Sequence, residues 1–327
     1  MAVSLEDVQN QVPTLHISLS RVGVTNVEKV IRIASGETER LFYAKLDCFV
    51  DRGPEHEDAR LSRFEEVVND VIGEVMVGEG AFKADQLARR IAVQVRERQS
   101  AQRAEVTIAA RHPEPKPAPV SGIATQKIYT LLGAAVASAR GTRRLIGVAA
   151  QGMSASPSAQ PLVAARWRER LAADGLSDDA IAAVLTAVPV ATHHQRGFGT
   201  LHLGLPEDCD TNVNAAELFA IIEDSMSSGI HELMKRSDEV AVVERAARRP
   251  RFVEDSVREA IRGVLDRFGH LRDDAFVSAR QENLETIHLH NVVVEGWGRF
   301  GELRRELEAG EHVAHHTTMR EWLDAAG

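Results

Sequence analysis

An α+β fold, with antiparallel strands backed by pairs of helices, is predicted by three features of the amino-acid sequence. Several stretches alternate apolar and polar residues as half-buried strands do, others carry one apolar stripe at helical spacing, and the order strand, strand, helix, helix, strand comes twice. The recurrence reads as a tandem repeat of one α+β unit.

The first unit spans residues 1–112. "TLHISLSRVGVTNVEKVIRI" and "ERLFYAKLDCFVD" are rich in Val, Ile and aromatic residues, so both are predicted extended, with a hairpin turn at "ASGET". In "LSRFEEVVNDVIGEVM" the side chains of Phe64, Val67, Val68, Val71, Ile72 and Val75 share one side of a helix, and Phe82, Leu87, Ile91 and Val95 do so in "FKADQLARRIAVQVRERQ". "AEVTIAARHP" returns to strand alternation. The prolines of "PEPKPAPVSG" then mark 113–122 as a linker, because proline lacks a backbone donor.

The second unit covers 123–310. "TQKIYTLLGAAVASA" fits a helix by spacing and a strand pair by its place in the repeat, and both readings stay open. "RRLIGVAAQGM" and "RGFGTLHLGL" read as strands around a helical insertion at 161–187, made of "VAARWRERLAADG", closed by Gly175, and "SDDAIAAVLTAV", with Ser177 at its N-cap. "NAAELFAIIEDSMSSGIHELMKR" opens with Asn214 and Glu217 at capping-box spacing and reads as one helix, placing Lys235 and Arg236 at a C-terminus whose dipole favours cations. "FVEDSVREAIRGVLDRF" is a further amphipathic helix. "DAFVSAR" and "TIHLHNVVVE" close the unit as strands, and 311–327 is a charged tail.

Composition narrows the function. The chain has 327 residues, 44% of them apolar and 27% charged, so a folded core is expected; 39 basic against 48 acidic residues give a net charge of −9, which argues against broad nucleic-acid or membrane binding. No apolar run reaches the roughly 18 residues of a membrane span, and "MAVSLEDVQNQ" has no secretory pattern, so a cytoplasmic protein is expected. Cys48 and Cys209 suggest no disulfide framework.

Candidate chemistry concentrates in a few short stretches. "QENLETIHLHN" holds Glu285, His288 and His290; on a strand the two histidines share one face, either as proton-handling groups or as a half-exposed polar edge. "VATHHQRGFGT" supplies His193, His194 and Arg196. Glu239, beyond Lys235, has no evident structural duty, whereas Glu254 and Asp255 suit the first turn of a helix with or without a ligand. "GMSASPSAQ" reads as a loop presenting the hydroxyls of Ser156 and Ser158, and no Gly-rich phosphate loop or G-x-S-x-G elbow is present.

Taken in order, "RVGVTNVEKVIRI", "SRFEEVV", "PAPVSG", "RRLIGVAAQGM", "ATHHQRGFGTLH", "MKRSDE", "RFVEDSVRE" and "QENLETIHLHN" closely resemble the type IB GTP cyclohydrolases, over about residues 7–305. The spacing between "GM" and "SAQ", together with "HNVVVE", is nearer the archaeal, methanopterin-pathway form. The resemblance implies a tunnelling fold of two ββααββ units and a homotetramer with sites between subunits. It implies a hydrolase of pterin biosynthesis that adds water at C8 of GTP, opens the imidazole ring, releases formate and moves toward a dihydroneopterin-type product. A divalent metal, Fe2+, Zn2+ or Mn2+, is implied as well. By motif, His193 and Glu239 are similar to metal ligands, Glu254 to the carboxylate that grips the guanine, and Glu285 and His288 to the catalytic pair, with His290 beside them; Arg196 and Lys235 are carried as substrate-binding.

The chain departs from the family where Ser156-Pro157-Ser158 replaces Cys-Pro-Cys. A neutral hydroxyl is a poorer ligand than a thiolate, so metal affinity is expected to fall, with His194 a possible substitute. Arg60-Leu61 stands where the family favours His-Met, His194 where it has Asn, and Gly229 where a glutamate is usual. Two other readings follow: a divergent tunnelling-fold enzyme acting on a related purine or pterin without the Cys-ligated metal, and a catalytically silent binding homologue.

Overall fold

The computed structural model describes residues 15–35, 38–54, 61–75, 83–209 and 211–325. Its strands are β1 (Leu19–Ser35), β2 (Thr38–Arg52), β3 (Arg103–Pro115), β4 (Gln126–Ser138), β5 (Gly141–Ala155), β6 (His194–Leu205), β7 (Ser228–Gly229), β8 (Phe276–Leu284) and β9 (Val292–Arg299). The helices are α1 (Leu61–Val75), α2 (Ala84–Arg98), α3 (Gln160–Ala173), α4 (Asp178–Ala187), α5 (Ala215–Asp224), α6 (Arg236–Arg248), α7 (Val253–Arg267), α8 (Phe300–Ala309) and α9 (Met319–Asp324). The fold class is α+β. The strands form one antiparallel sheet in the order β1-β2-β3-β4-β5-β6-β8-β9, and β7 pairs with β5. The turn residues 36 and 37, Arg60 and Phe82 lie outside the described residues.

The sheet is covered on one face by α1, α2, α5 and α7. Alternation sends Leu46, Val106, Ile108, Val148, Leu201, Leu203 and Val277 inward, where they meet Phe64, Ile91, Leu218 and Val264 in one continuous core. Each such buried side chain contributes about 1.5–3 kcal/mol. Gly133 is required for this layer: a Cβ there would lie 2.3 Å from the Ala84 carbonyl, so any side chain would push α2 off β4. A second, smaller cluster lies on the opposite face, where Trp322 of α9 packs on Val136, Leu145 and Phe276. The C-terminal stretch is therefore docked rather than loose.

Between the helical layer and the sheet sits a buried ion pair. Arg144 of β5 grips Asp85 in the first turn of α2 and donates to the Cys209 carbonyl at 2.9 Å. This contact ties the first helix pair to the strands that follow it.

One open reading is resolved and three sequence expectations are corrected. The open stretch at 125–139 is β4. The proline-rich segment does not begin as a linker, because Pro113 and Pro115 continue β3 opposite Ile128 and Gln126; β2 pairs only as far as Ala110, so these prolines occupy an edge that needs no further donors. The single helix at 214–236 is broken: α5 stops at Asp224, "SSG" contributes β7, and Lys235 is the N-cap of α6 rather than a C-terminal residue. The dipole therefore disfavours Lys235 and Arg236 and favours Asp238 and Glu239. Lastly, β9 starts at Val292, so His288 and His290 lie in a bend before it.

His202 gives the fold a pH dependence. A Cβ on Gly147 would come within 2.4 Å of its ring, and burial lowers its pKa from 6.5 to about 4. Stability is then complete above about pH 6.5 and falls as the pH drops toward 4, by at most about 3 kcal/mol, because the unfolded chain takes up the proton first. His202→Asn is expected to flatten this acid limb in urea titrations at pH 7 and pH 5.

Candidate active site

Three chain segments converge at the ends of β5, β6 and β8. Antiparallel pairing sets His194 opposite Ala155 and Arg196 opposite Leu284, so the residues just past these positions meet. The Ser156 amide donates to the His193 carbonyl at 3.1 Å, and the Thr192 hydroxyl donates to the Ser156 carbonyl at 2.5 Å. The Arg251 amide bonds the Ala155 carbonyl at 3.0 Å, which seats the start of α7 at the same strand end.

Glu285 stands at the centre of this convergence. Its side chain is 6% exposed; Oε2 lies 3.7 Å from His193 Nε2, and Oε1 accepts from Gln195 Nε2 at 3.2 Å. His193 meets His288 edge-on with ring centres 6.4 Å apart, and His288 stacks on His290 at 5.3 Å. Both of these histidines are exposed while Glu285 is shielded, so the group offers a fixed carboxylate beside imidazoles open to solvent. Such a set can move protons to and from a bound substrate.

Beneath it lies a layer of neutral polar side chains that sequence reasoning missed. The Ser154 hydroxyl bonds Asn283 Oδ1 at 3.2 Å, Gln281 Nε2 bonds the same oxygen at 3.0 Å, and Ser227 accepts from the Ala155 amide at 3.0 Å. Gln281 and Asn283 fit because Gly197 and Gly199 oppose them: a Cβ on Gly197 would lie 2.4 Å from the Gln281 amide nitrogen. The signal was two amides at period-two spacing facing the glycines of "RGFG" across the sheet. Gln195 belongs to the same layer and aims Glu285.

His194 and Arg196 alternate with Gln195 and so project to the opposite face of the sheet, where Arg196 donates to Gln151 Oε1 at 3.1 Å. Burial and the adjacent His193 hold the His194 pKa below the usual imidazole value, and its Nε2 has no hydrogen-bond partner among the described residues. Glu239 and Lys235 are exposed at the start of α6. Their neighbour Asp238 is fully buried; burial raises its pKa, but bonds from the Ser121 amide and hydroxyl and the Lys235 and Val120 amides outweigh that and hold it well below the carboxylate range. Glu254 is exposed in the first turn of α7.

A metal ion requires several donors around one point. Among the described residues no three His, Cys, Asp or Glu side chains gather in that way. Ser156 supplies only a hydroxyl, which accepts from the Ser158 amide at 3.3 Å. Among the described residues of one protomer the donor set therefore does not fit a metal centre.

A family model described as "Type I GTP cyclohydrolase folE2" matches residues 5–294. GTP cyclohydrolase MptA of Methanococcus aeolicus is 34% identical over 310 residues, covering 92% of this chain and 99% of that protein. GTP cyclohydrolase MptA of Methanosarcina mazei is 36% identical over 314 residues, covering 93% of this chain and 98% of that one. Uricase from Arthrobacter globiformis aligns with a TM-score of 0.50 and 7% identity, over 90% of this chain and 96% of its own, which is a likeness of fold alone.

Proposed function

The chain belongs to the type I GTP cyclohydrolase family, and from that premise we propose that it hydrolyses GTP, opening the imidazole ring with release of formate. The observation that carries this reading is the shielded Glu285 carboxylate among His193, His288 and His290, in a chain that matches the family over residues 5–294. Glu285 accepts a proton from the water that adds at C8. The C8–N9 bond then opens, and His288, steadied by its stack on His290, returns a proton to the freed nitrogen. A second water releases the formyl group as formate, leaving a diamine that recloses toward a dihydroneopterin-type product. Glu254, at the start of α7, holds the guanine's amino and ring N–H groups.

No step is routed through a metal, because the described residues of one protomer do not gather the donors. Ser156→Cys tests this point without reference to turnover. Thiolate in place of hydroxyl is expected to raise Zn2+ or Fe2+ affinity by about 10- to 100-fold, read as metal content after dialysis. Equal metal content in parent and variant would mean that position 156 is not a ligand position.

The second reading, an enzyme acting on a related purine or pterin, is favoured only by Ser156. Incubation with GTP, with and without Fe2+, Mn2+ or Zn2+, separates the two: formate and a fluorescent oxidised pterin are expected, and absence of formate under every condition would overturn the first. Arg196 projects to the sheet face opposite Gln195, which bonds Glu285, so a role for it toward substrate calls for a site completed by a second copy. An apolar patch supports such assembly: Val30, Leu41, Tyr43 and Ile128 are 47%, 44%, 64% and 53% exposed on the sheet face away from the helices. Light scattering is expected to give about four times the chain mass of 35.8 kDa; a monomer mass would rule the tetramer out. We place the enzyme in the cytoplasm, and no described helix is long and apolar enough to cross a membrane.

A further inference from the structure

Where α5 ends, a cavity of about 320 Å3 opens between the proline-rich segment, β7 and α6, lined by Lys116, Glu223, Asp224, Gly229, His231 and Arg245 among others. Its charges do not balance. Lys116 and Lys127 both grip Glu223, and the Lys127 side chain is only 8% exposed. Asp224 is shared by Arg245 at 3.0 Å and Arg249 at 3.9 Å. Asp238, the next carboxylate, has its oxygens committed to Val120, Ser121 and Lys235. Because the donors to Asp238 are neutral, its charge still counts, and three carboxylates thus face four cationic side chains around this partly enclosed space.

Donors remain available there. Lys127 uses one N–H on Glu223 and one on the Gln151 carbonyl at 2.7 Å, and Lys116 uses one on Glu223, so each ammonium retains at least one. His231 Nδ1 is shielded from solvent and has no hydrogen-bond partner among the described residues, and both lysines lie close enough to lower the pKa of its ring, behind the larger effect of burial. Beside them the chain places Gly229, whose absent Cβ would sit 3.5 Å from Lys116 Nζ and 3.8 Å from Glu223 Oε1. No side chain from that position fills the space beside Lys116 and Glu223.

We propose that this cavity binds a phosphate-type oxyanion through Lys116 and His231, with the charge of Lys127 behind Glu223. The anion supplies the missing negative charge and takes the free N–H donors, and its size suits a space of about 320 Å3. The inference is independent of the catalytic reading above. Its source is either free inorganic phosphate or the phosphate chain of a nucleotide, since both present the same oxygens.

Titration calorimetry of the full chain with orthophosphate, in phosphate-free buffer, tests it. One phosphate per chain is expected. Gly229→Glu puts a carboxylate into the same space without backbone strain, since Gly229 has no positive φ. It is expected to weaken phosphate binding at least 10-fold and to raise the melting temperature in phosphate-free buffer. Lys116→Gln is expected to weaken binding similarly, with no such rise. Release of bound phosphate by GTP assigns the site to a nucleotide's phosphates; retention of phosphate beside GTP assigns it to the free ion. Absence of binding to the parent protein, or affinity unchanged from the parent in both variants, overturns the proposal.

Discussion

Glu285→Gln is expected to lower formate release from GTP by about 10²- to 10⁴-fold, the range contributed by a positioned general base or acid. The amide keeps the shape of the carboxylate and can still accept from Gln195, so the site should remain assembled. What is lost is a group able to take a proton next to His193, 3.7 Å away. KM should change little, because Glu254 rather than Glu285 is proposed to hold the guanine. Steady-state kinetics with a formate assay, alongside a thermal melt, separates chemistry from folding. A kcat within threefold of the parent would remove Glu285 from the reaction.

Asp85→Ala is expected to destabilise the fold by about 3–5 kcal/mol, because it leaves the Arg144 guanidinium buried without its counter-charge. Arg144 is 7% exposed and Asp85 3%, so water cannot readily replace the lost partner. The hydrogen bond to the Cys209 carbonyl satisfies only part of the guanidinium. Replacing both partners with apolar residues of similar volume is expected to recover much of the loss, a non-additivity that marks a coupled pair. Urea unfolding of the two single variants and the double variant measures it; a loss below about 1 kcal/mol for Asp85→Ala would mean that the pair is effectively solvated.

The elements legible in the sequence are those with one apolar face. Stripes such as Phe64, Val67, Val71 and Leu87, Ile91, Val95 announced α1 and α2 because the other sides of these helices are polar. β4 was not legible because it is covered on both faces: Leu131, Ala135 and Ala137 look toward the helices, while Val136 looks toward Trp322. Small apolar residues on two faces carry no period. The break between α5 and α6 was hidden for a related reason: helical spacing persists across "SMSSG", while pairing of Ser228 and Gly229 with β5 is a tertiary effect that no local pattern encodes. Within the site, Glu285 and its histidines stood out by residue type. Their grouping comes from a bend rather than from strand alternation, so the residues were legible and the geometry was not. Gln195 escaped because a neutral amide carries no chemical signature until its partner is seen.

β4 hydrogen-bonds to both neighbours, its residues Thr130 to Ser138 facing Arg111 to Arg103 on one side and Ala149 to Gly141 on the other. The two halves of the chain therefore share a seam rather than a hinge. A gene severed in the loop at 121–124 yields one fragment with a bare flank on β3 and another with a bare flank on β4. Coexpressed, such fragments have the makings of a split-protein pair whose reassembly restores the seam, whereas each produced alone exposes a sticky border and belongs in inclusion bodies.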